Sequence, residues 1–544
     1  MNTSNPIVLV GQNQIGKLAA EFDDEYLFSC FVNTKFHDEV ASHNSPKMIL
    51  SGRTGSGKSA VIRYICHQNP NSKQIDLQSM SMDYIANSDV VNFLIALDVD
   101  VDLLFQALWK HVLCIELIRM IYQVKNQEES RWVISRWIEN FSRDGRKKRA
   151  IDYLENWQSK FWIDMDENLR EVTENIENRV TAEFGSELDS FKGNAGFGRT
   201  ISKEKKSQLQ SRLRKIVNGD QLAELSRVLD LIKEAVGEKG ERYYILFDGL
   251  DENWADKSIK HRLISALIEV IKSFRKIQAL KIVVSIRVDL LEQTLKTSPP
   301  IGFQRDKFGD IQQSIRWNRD QMYELVNSRI SKMFQRKYSK QKVEFYDVFV
   351  KKVGQVTTFD YLLSKTLMRP REILDFSNRC IEQADGLEKI TANVIRKAEV
   401  NYSIVRLQSI VDEWKSLYPS IDKVLVAFKG IRKNLSFRDF TDGQRLDTII
   451  EKIFEAGEHE SCPIQKGVNA YLSEEEGTGK DSVAKRIVEM LYRVGVLGIK
   501  RSENMAMQWS DGESSIVIFE ELADNFRMQF HSTFDQSLNL NTNR

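Results

Sequence analysis

Cysteine is scarce, and so is proline. The five cysteines (Cys30, Cys66, Cys114, Cys380, Cys462) are odd in number, far apart and form no CxxC pair. That argues against a disulfide framework and against a zinc ribbon. Seven histidines are scattered without metal-ligand spacing. An excess of one charge is also missing: 78 Lys and Arg stand against 77 Asp and Glu, so no whole-molecule field drives the chain onto nucleic acid or an anionic membrane. The opening MNTSNPIVLVGQNQ lacks the basic start and apolar run of a secretory signal. The most apolar long segment, Val90 to Tyr122, is interrupted by Asp98, Asp100, Asp102, Lys110, Glu116 and Arg119. It reads as buried or amphipathic helix rather than a membrane span, and a cytoplasmic protein with no membrane partner is the expectation.

Only eight prolines occur, and none falls between Asn71 and Ser298. Proline breaks helix interiors and central strands, so that stretch is free to form long elements. Within it, Asn140 to Leu231 is rich in Glu, Lys, Arg, Leu and Asn with spaced Trp, Phe and Ile. Long, partly exposed helices fit that composition, with a break near Gly193, Gly196 and Gly198. With 42% hydrophobic and 28% charged residues over 544 positions, the chain has the make-up of an ordinary globular protein of two to four domains, at roughly 150 residues each.

Four apolar runs read as strands of a parallel sheet buried on both faces: Lys47–Leu50, Gln74–Leu77, Tyr243–Phe247 and Lys281–Ile286. Helical segments separate them, as in an open α/β sheet, and a weaker fifth strand is expected at Ile311–Trp317. Helices are expected downstream at Gln321–Phe334, Phe345–Val353, Pro370–Gln383 and Ala392–Trp414. At the C-terminal end, helix Ser482–Val494 runs into Gly495–Lys500, with a second strand expected at Ser515–Phe519. A helix before a two-stranded hairpin is the outline of a winged-helix domain.

The strongest chemical signal is Gly52-Arg53-Thr54-Gly55-Ser56-Gly57-Lys58-Ser59, a full match to GxxxxGK[ST]. It follows an apolar strand and opens a helix at Ala60. Glycines at 52, 55 and 57 let the backbone turn tightly, so that its N–H groups face phosphate oxygens. The helix N-terminus favours the anion further. Lys58 is expected to reach the β- and γ-phosphates, and Ser59 to ligate Mg²⁺. ATP and Mg²⁺ are the cofactors this implies, with Gly52 to Ala60 as the binding loop.

An acid at the end of a neighbouring strand is needed to hold the metal, and Tyr243–Phe247 runs into Asp248-Gly249-Leu250-Asp251-Glu252. Asp248 is the expected metal-binding residue, while Asp251 and Glu252, one turn on, are candidates to polarise the attacking water. Many AAA+ proteins place glutamate directly after the metal-binding aspartate. Here that position is Gly249, so the base is Glu252 or Asp251, or hydrolysis is slow. Arg287, at the C-terminal edge of the strand Lys281–Ile286, is expected to point into the ligand crevice and sense the γ-phosphate. In Arg369-Pro370-Arg371-Glu372-Ile373 a proline opens a helix between two arginines; such a helix in a lid would bring Arg371 to the phosphates, or else carry solvated basic residues. Arginine suits such roles through its permanent charge and planar fork of donors.

Other features are weaker. Gly477-Thr478-Gly479-Lys480 imitates a P-loop but lacks its first glycine, a preceding strand and the following Ser or Thr, and reads as a loop before a helix. Arg143–Arg149 and Lys203–Lys215 are basic stretches that read as solvated helix faces, with phosphate contacts as the alternative.

Together, Gly52–Ser59, Asp248–Glu252, Ser285-Ile286-Arg287 and Arg369-Pro370-Arg371 resemble the STAND or initiator-type AAA+ ATPases, the STAND class most. Glu21–Leu27 and Cys30–Thr34, ahead of the P-loop, are similar to a bacterial family of P-loop ATPases often found among phage-defence genes. In that family a winged helix follows the lid, and Arg493–Gly498 fits it. The resemblance implies an α/β P-loop NTPase fold of the ASCE/AAA+ kind, with a helical insertion at about 100–235. The nucleotide-binding domain is expected over 1–310, a helical lid over 311–403, a winged-helix domain over 404–535 and a tail over 536–544.

It also implies an ATPase that hydrolyses slowly and works as a conformational switch in phage defence. It would act as a homo-oligomer, through a protein effector encoded nearby, or both. The alternative is a DNA-binding loader or initiator. Charge speaks against its plainest form, since Ile421–Arg544 carries 16 Lys and Arg against 20 Asp and Glu, although Lys485, Arg486, Arg493, Lys500 and Arg501 form a local basic patch. A scaffold that binds ATP without turnover is a third reading, kept open by Gly249.

Overall fold

The computed structural model describes residues 8–77, 88–96, 101–123, 127–141, 165–192, 202–204, 207–208, 211, 223–299, 303–335, 342–415, 417–442, 444–455, 462–475, 479–510, 522 and 524–541. Arg143–Arg149, the glycines near 193–198, most of Lys203–Lys215, Gly477–Thr478 and the expected strand at Ser515–Phe519 lie outside them. The chain folds as two compact units, one of residues Asn33–Arg316 and one of Met1–Val32 with Trp317–Arg544.

In the first unit, five strands form a parallel sheet: β1 (Ile49–Gly52), β2 (Ser72–Ile75), β3 (Tyr243–Phe247), β4 (Leu280–Arg287) and β5 (Gln312–Ser314), in the order β2-β3-β4-β1-β5. The three central strands are built almost wholly of apolar residues, and every residue but Arg287 is buried. Covering both faces of a parallel sheet demands that composition. The run Gln74–Leu77 departs from expectation: β2 is an edge strand shifted to Ser72–Ile75, with Lys73 and Gln74 exposed and only Ile75 buried. An edge strand has one free side, and polar residues protect it from pairing with other chains.

Helix α1 (Lys58–Gln68) crosses from β1 to β2. Between β2 and β3 lies the insertion, which includes helices Asp89–Ala96, α2 (Asp102–Tyr122), Gln127–Phe141, Met165–Lys192 and Ala223–Lys239. The apolar segment that interrupting charges had marked as non-membrane becomes chiefly α2, which is buried on nearly all sides, from Leu104 and Phe105 to Ile118 and Ile121. A helix apolar all round belongs in a core, and among the described residues no helix is long and apolar enough to cross a membrane. Helix α2 packs on α3 (Lys257–Phe274), where the Trp109 indole N–H donates to the Leu263 carbonyl at 2.9 Å. Burying such a side chain stabilises the unit by about 3 kcal/mol. Helix α4 (Val288–Thr297) follows β4 directly.

The second unit is helical at first, with α5 (Arg319–Gln335), a short helix Phe345–Val348, and the antiparallel pair β6 (Lys352–Val353) and β7 (Val356–Thr357). The expected helix Phe345–Val353 therefore stops early, at Val348: Phe349 is already extended at ψ 147° and the chain runs on into β6, which Gly354 turns at φ 61° into β7. Helices α6 (Pro370–Gln383) and α7 (Ala392–Trp414) have the expected bounds, set by a proline in the first turn and by Thr391 capping Val394 N–H.

The segment ahead of the P-loop packs in this unit. Arg329 of α5, almost fully buried, pairs with Asp23 at 2.7 Å and donates to the Ile15 carbonyl at 3.0 Å. Between them Gly16 sits at φ 120°, where a Cβ would run into the guanidinium. A buried charge needs such pairing.

Further on, helix Ile421–Ala427, strand β8 (Asn434–Ser436), three more helices, α8 (Lys480–Arg493), β9 (Leu497–Lys500) and β10 (Arg527–Phe530) follow. Their antiparallel sheet has the order β8-β10-β9. Within the described residues, β9 pairs with β10, which places Ile499 opposite Met528.

Candidate functional site

The loop after β1 needs its glycines for separate reasons. Gly55 and Gly57 adopt φ 75° and 101°, a region that costs a residue with a Cβ about 1–2 kcal/mol. At Gly52 the constraint is space, since a Cβ would collide with Ser56 Oγ. Gly57 caps α1, whose first-turn N–H groups have no partners within the helix and face outward as donors. The Lys58 ammonium arches back over the loop to the Arg53 carbonyl at 3.2 Å. Arg53, Thr54 and Ala60 complete the segment, all partly buried.

The register of the sheet brings the second motif to this loop. Phe247 of β3 lies beside Val284 of β4, so the next residues, Asp248 and Ser285, also meet, and the serine hydroxyl donates to Asp248 Oδ1. The Ser59 hydroxyl also hydrogen-bonds this carboxylate, and the Lys58 charge attracts it. Burial raises the Asp248 pKa above the usual carboxylate range, while these contacts and the Gly249 N–H pull it down, with burial prevailing. Ser59 and Asp248 are hard oxygen donors, the kind Mg²⁺ takes when phosphate oxygens and water complete its shell. Among the described residues no group of three or more His, Cys, Asp or Glu is arranged to hold a metal. The donor set thus fits a cation that arrives with its phosphate, not an all-protein cage.

Gly249 has a structural reason. Its φ is 77°, and the Glu252 side chain folds back over it, with Cδ and both carboxylate oxygens 3.0–3.1 Å from where a Cβ would stand. The Glu252 carboxylate therefore occupies the space beside position 249. The loop is held by Glu252 N–H to the Gly249 carbonyl at 3.0 Å and by Lys260 Nζ to the Glu252 carbonyl at 2.5 Å. Behind it, Trp254 donates to the Leu250 carbonyl at 2.9 Å and meets Trp109 of the insertion edge-on at 6.2 Å. Trp109 also packs edge-on against Phe247 at 5.8 Å. The insertion therefore braces the acidic loop.

Arg287 ends β4 in register with Gly52. Its Nε and Nη2 donate to the two carboxylate oxygens of Asp289 at 3.0 and 2.7 Å, and Nη1 lies 3.5 Å from Asp251. Lys260, Trp254 and Asp289 carry no role in the sequence motifs, and Ser285 enters them only as a neighbour of Arg287. Ser285 lies two residues before Arg287 on β4, the period that puts strand side chains on one face, whereas Asp289 lies two residues after it in the first turn of α4. That spacing was the available signal for Ser285; nothing in spacing marks Lys260 or Trp254.

Arg371 belongs to the second unit, where its Nε donates to the Leu18 carbonyl at 3.1 Å. Burial is the main cause lowering its pKa, opposed first by Glu21. Arg369 is buried against Glu413 at 3.0 Å and Glu372 at 3.7 Å, so it is not a solvated flank. In the C-terminal basic patch, Lys485 pairs with Asp524 at 3.1 Å and Arg493 with Glu489 at 2.7 Å. Gly479 caps α8 and Lys480 pairs with Asp447 at 2.8 Å, as befits a loop before a helix.

Comparison with known proteins gives three likenesses. The family model of the FunZ-associated C-terminal helical domain matches residues 320–411, the stretch from α5 through most of α7. An 80.3 kDa protein of Escherichia coli (strain K12), assigned by its name to transposon gamma-delta, is 22% identical over 544 aligned residues, covering 98% of this chain and 68% of the relative. Among solved structures, a Walker-type ATPase of Pyrococcus abyssi is similar with a TM-score of 0.36 and 12% identity, over 92% of this chain and 96% of that one.

Proposed function

We propose that the protein binds ATP with Mg²⁺ at Gly52–Ser59, hydrolyses it slowly and works as a conformational switch. The observation that carries this reading is the meeting of the Ser59 hydroxyl with the Asp248 carboxylate, beside Lys58, at the mouth of a three-glycine loop. Independent segments about 190 residues apart converge there on the donor set a magnesium triphosphate requires. The strand order β5-β1-β4-β3-β2 supports an ASCE-type P-loop NTPase.

When bound, Mg²⁺ and the nucleotide supply an electrophilic phosphoryl group with part of its charge neutralised. The chain supplies the rest. Backbone N–H groups of the loop and Lys58 hold the phosphate oxygens. Glu252, folded over Gly249, orients and accepts a proton from water, with Asp251 next in line. Arg287 stands where the terminal phosphate is read. Such catalysis is positioning and electrostatics. Because the base sits on an exposed loop residue three positions beyond its common place, turnover is slow.

The order β8-β10-β9, with α8 ahead of the β9–β10 pair, supports a winged-helix domain. Pairing of Lys485 and Arg493 with acids weakens the loader reading and favours a protein partner, a second copy of this chain or an effector. The setting in phage defence follows from the family resemblance of the motifs.

The test is phosphate release and particle size with and without ATP. Glu252→Ala is expected to bind ATP, lose hydrolysis by about 10²- to 10⁴-fold and accumulate the assembled state. Normal hydrolysis by Glu252→Ala would refute the base assignment and move it to Asp251.

A further inference from the structure

Arg287 is already engaged by a carboxylate of its own strand end. Asp289 lies two residues on, in the first turn of α4, and takes the guanidinium through two parallel hydrogen bonds of 3.0 and 2.7 Å. Asp251 adds a single looser contact at 3.5 Å. The arginine is 17% exposed and Asp289 24%, against 39% for Asp251. The bidentate pair is therefore both better formed and less screened than the contact to the acidic loop.

We infer that Asp289 is a specificity-determining residue: a built-in competitor that masks Arg287 and sets how strongly the site prefers a triphosphate to a diphosphate. The inference rests on the reading of Gly52–Ser59 as the triphosphate site. Register places Arg287 alongside Gly52, the first residue of the loop, at the strand ends where ligands of open α/β sheets bind. Asp289 occupies the Nε–Nη2 fork, so presenting that same fork to a terminal phosphate gives up the fork-to-fork bond with Asp289. A triphosphate offers a replacement of greater charge, and a diphosphate offers none in that position. The contribution of Arg287 to affinity is the difference between two strong ion pairs, and Asp289 fixes the size of the term subtracted. The same turn withdraws Arg287 from Asp251, adjacent to Glu252, so the occupant's terminal phosphate is reported to the acidic loop.

The experiment is calorimetric titration of the full chain with Mg²⁺ and either AMP-PNP or ADP, for wild type, Asp289→Asn and Asp289→Ala. Both variants are expected to bind AMP-PNP about tenfold more tightly than wild type, within the usual 5- to 150-fold range of coupling effects. ADP affinity is expected to stay within about twofold. ADP binding by the same sample also reports that the variant is folded. Combining Asp289→Asn with Arg287→Ala is expected to abolish the gain. Unchanged AMP-PNP affinity, or an equal change for both nucleotides, would overturn the inference. If wild type binds neither nucleotide, the phosphate site itself is wrong, and the inference falls with it.

Discussion

Replacing Gly249 with alanine separates nucleotide binding from hydrolysis. Two costs are set by the structure. The backbone at 249 holds φ 77°, which costs a residue with a Cβ about 1–2 kcal/mol. The new methyl also lands 3.0–3.1 Å from the Glu252 carboxyl group, inside ordinary contact distance. Glu252 is exposed, so its side chain yields before the backbone does, and the stability loss stays near the conformational figure. A melting temperature lower by roughly 2–8 °C follows, at about 2–4 °C per kcal/mol for a domain of this class. Displacing a water-orienting carboxylate by about 1 Å costs on the order of 10²-fold in turnover. Lys58, Ser59 and the loop glycines are untouched, so affinity for Mg²⁺–AMP-PNP should change by less than about threefold. Phosphate release, calorimetry and a melting curve on one preparation read all three. Wild-type turnover by Gly249→Ala would refute the placement of Glu252 as base; loss of binding in step with turnover would mean that position 249 shapes the phosphate loop instead.

Two further outcomes follow from other parts of the molecule. Trp109→Ala removes a fully buried indole that touches Phe247 and Trp254, so it should lower stability to denaturant by about 3–5 kcal/mol; under conditions where the variant is still folded, turnover should fall more than nucleotide affinity. His531 is half-buried, and its desolvation with Lys433 nearby lowers its pKa to about 3, so it stays neutral in the fold while the unfolded chain takes up a proton below about pH 6.5. Stability of its unit should therefore decline as pH falls from about 6.5 toward 3, by up to about 1.4 kcal/mol per pH unit, and His531→Gln should flatten that slope in acid denaturation.

Local features of the chain were legible where the chemistry is local. The P-loop could be read because three glycines and a Lys-Ser pair are needed within eight residues, and β3 could be bounded because a strand buried on both faces has no polar positions. Helices α6 and α7 carry their own start residues in Pro370 and Thr391. What stayed hidden depends on pairing at long range. The position of Ser285 against Asp248 follows from a register between strands separated by more than 30 residues, which its two-residue spacing from Arg287 does not reveal. The capture of Arg287 by Asp289 is a rotamer choice. The segment 8–32 joins the helical unit through long-range contacts, among them the buried Arg329 some 300 residues away, Asn378 and Leu387, whereas nearness in sequence suggested the P-loop domain. The helix expected over Phe345–Val353 ends at Val348 because the aromatic and β-branched residues of its second half, Phe349, Val350 and Val353, favour extended backbone.

The most direct measurement is titration of the purified chain with ATP and Mg²⁺, alongside Lys58→Ala and Asp248→Asn. The account predicts saturable heat for wild type at one nucleotide per chain, none for Lys58→Ala, and for Asp248→Asn a loss of the gain that Mg²⁺ confers. Absence of binding by wild type, or equal binding by Lys58→Ala, would contradict it.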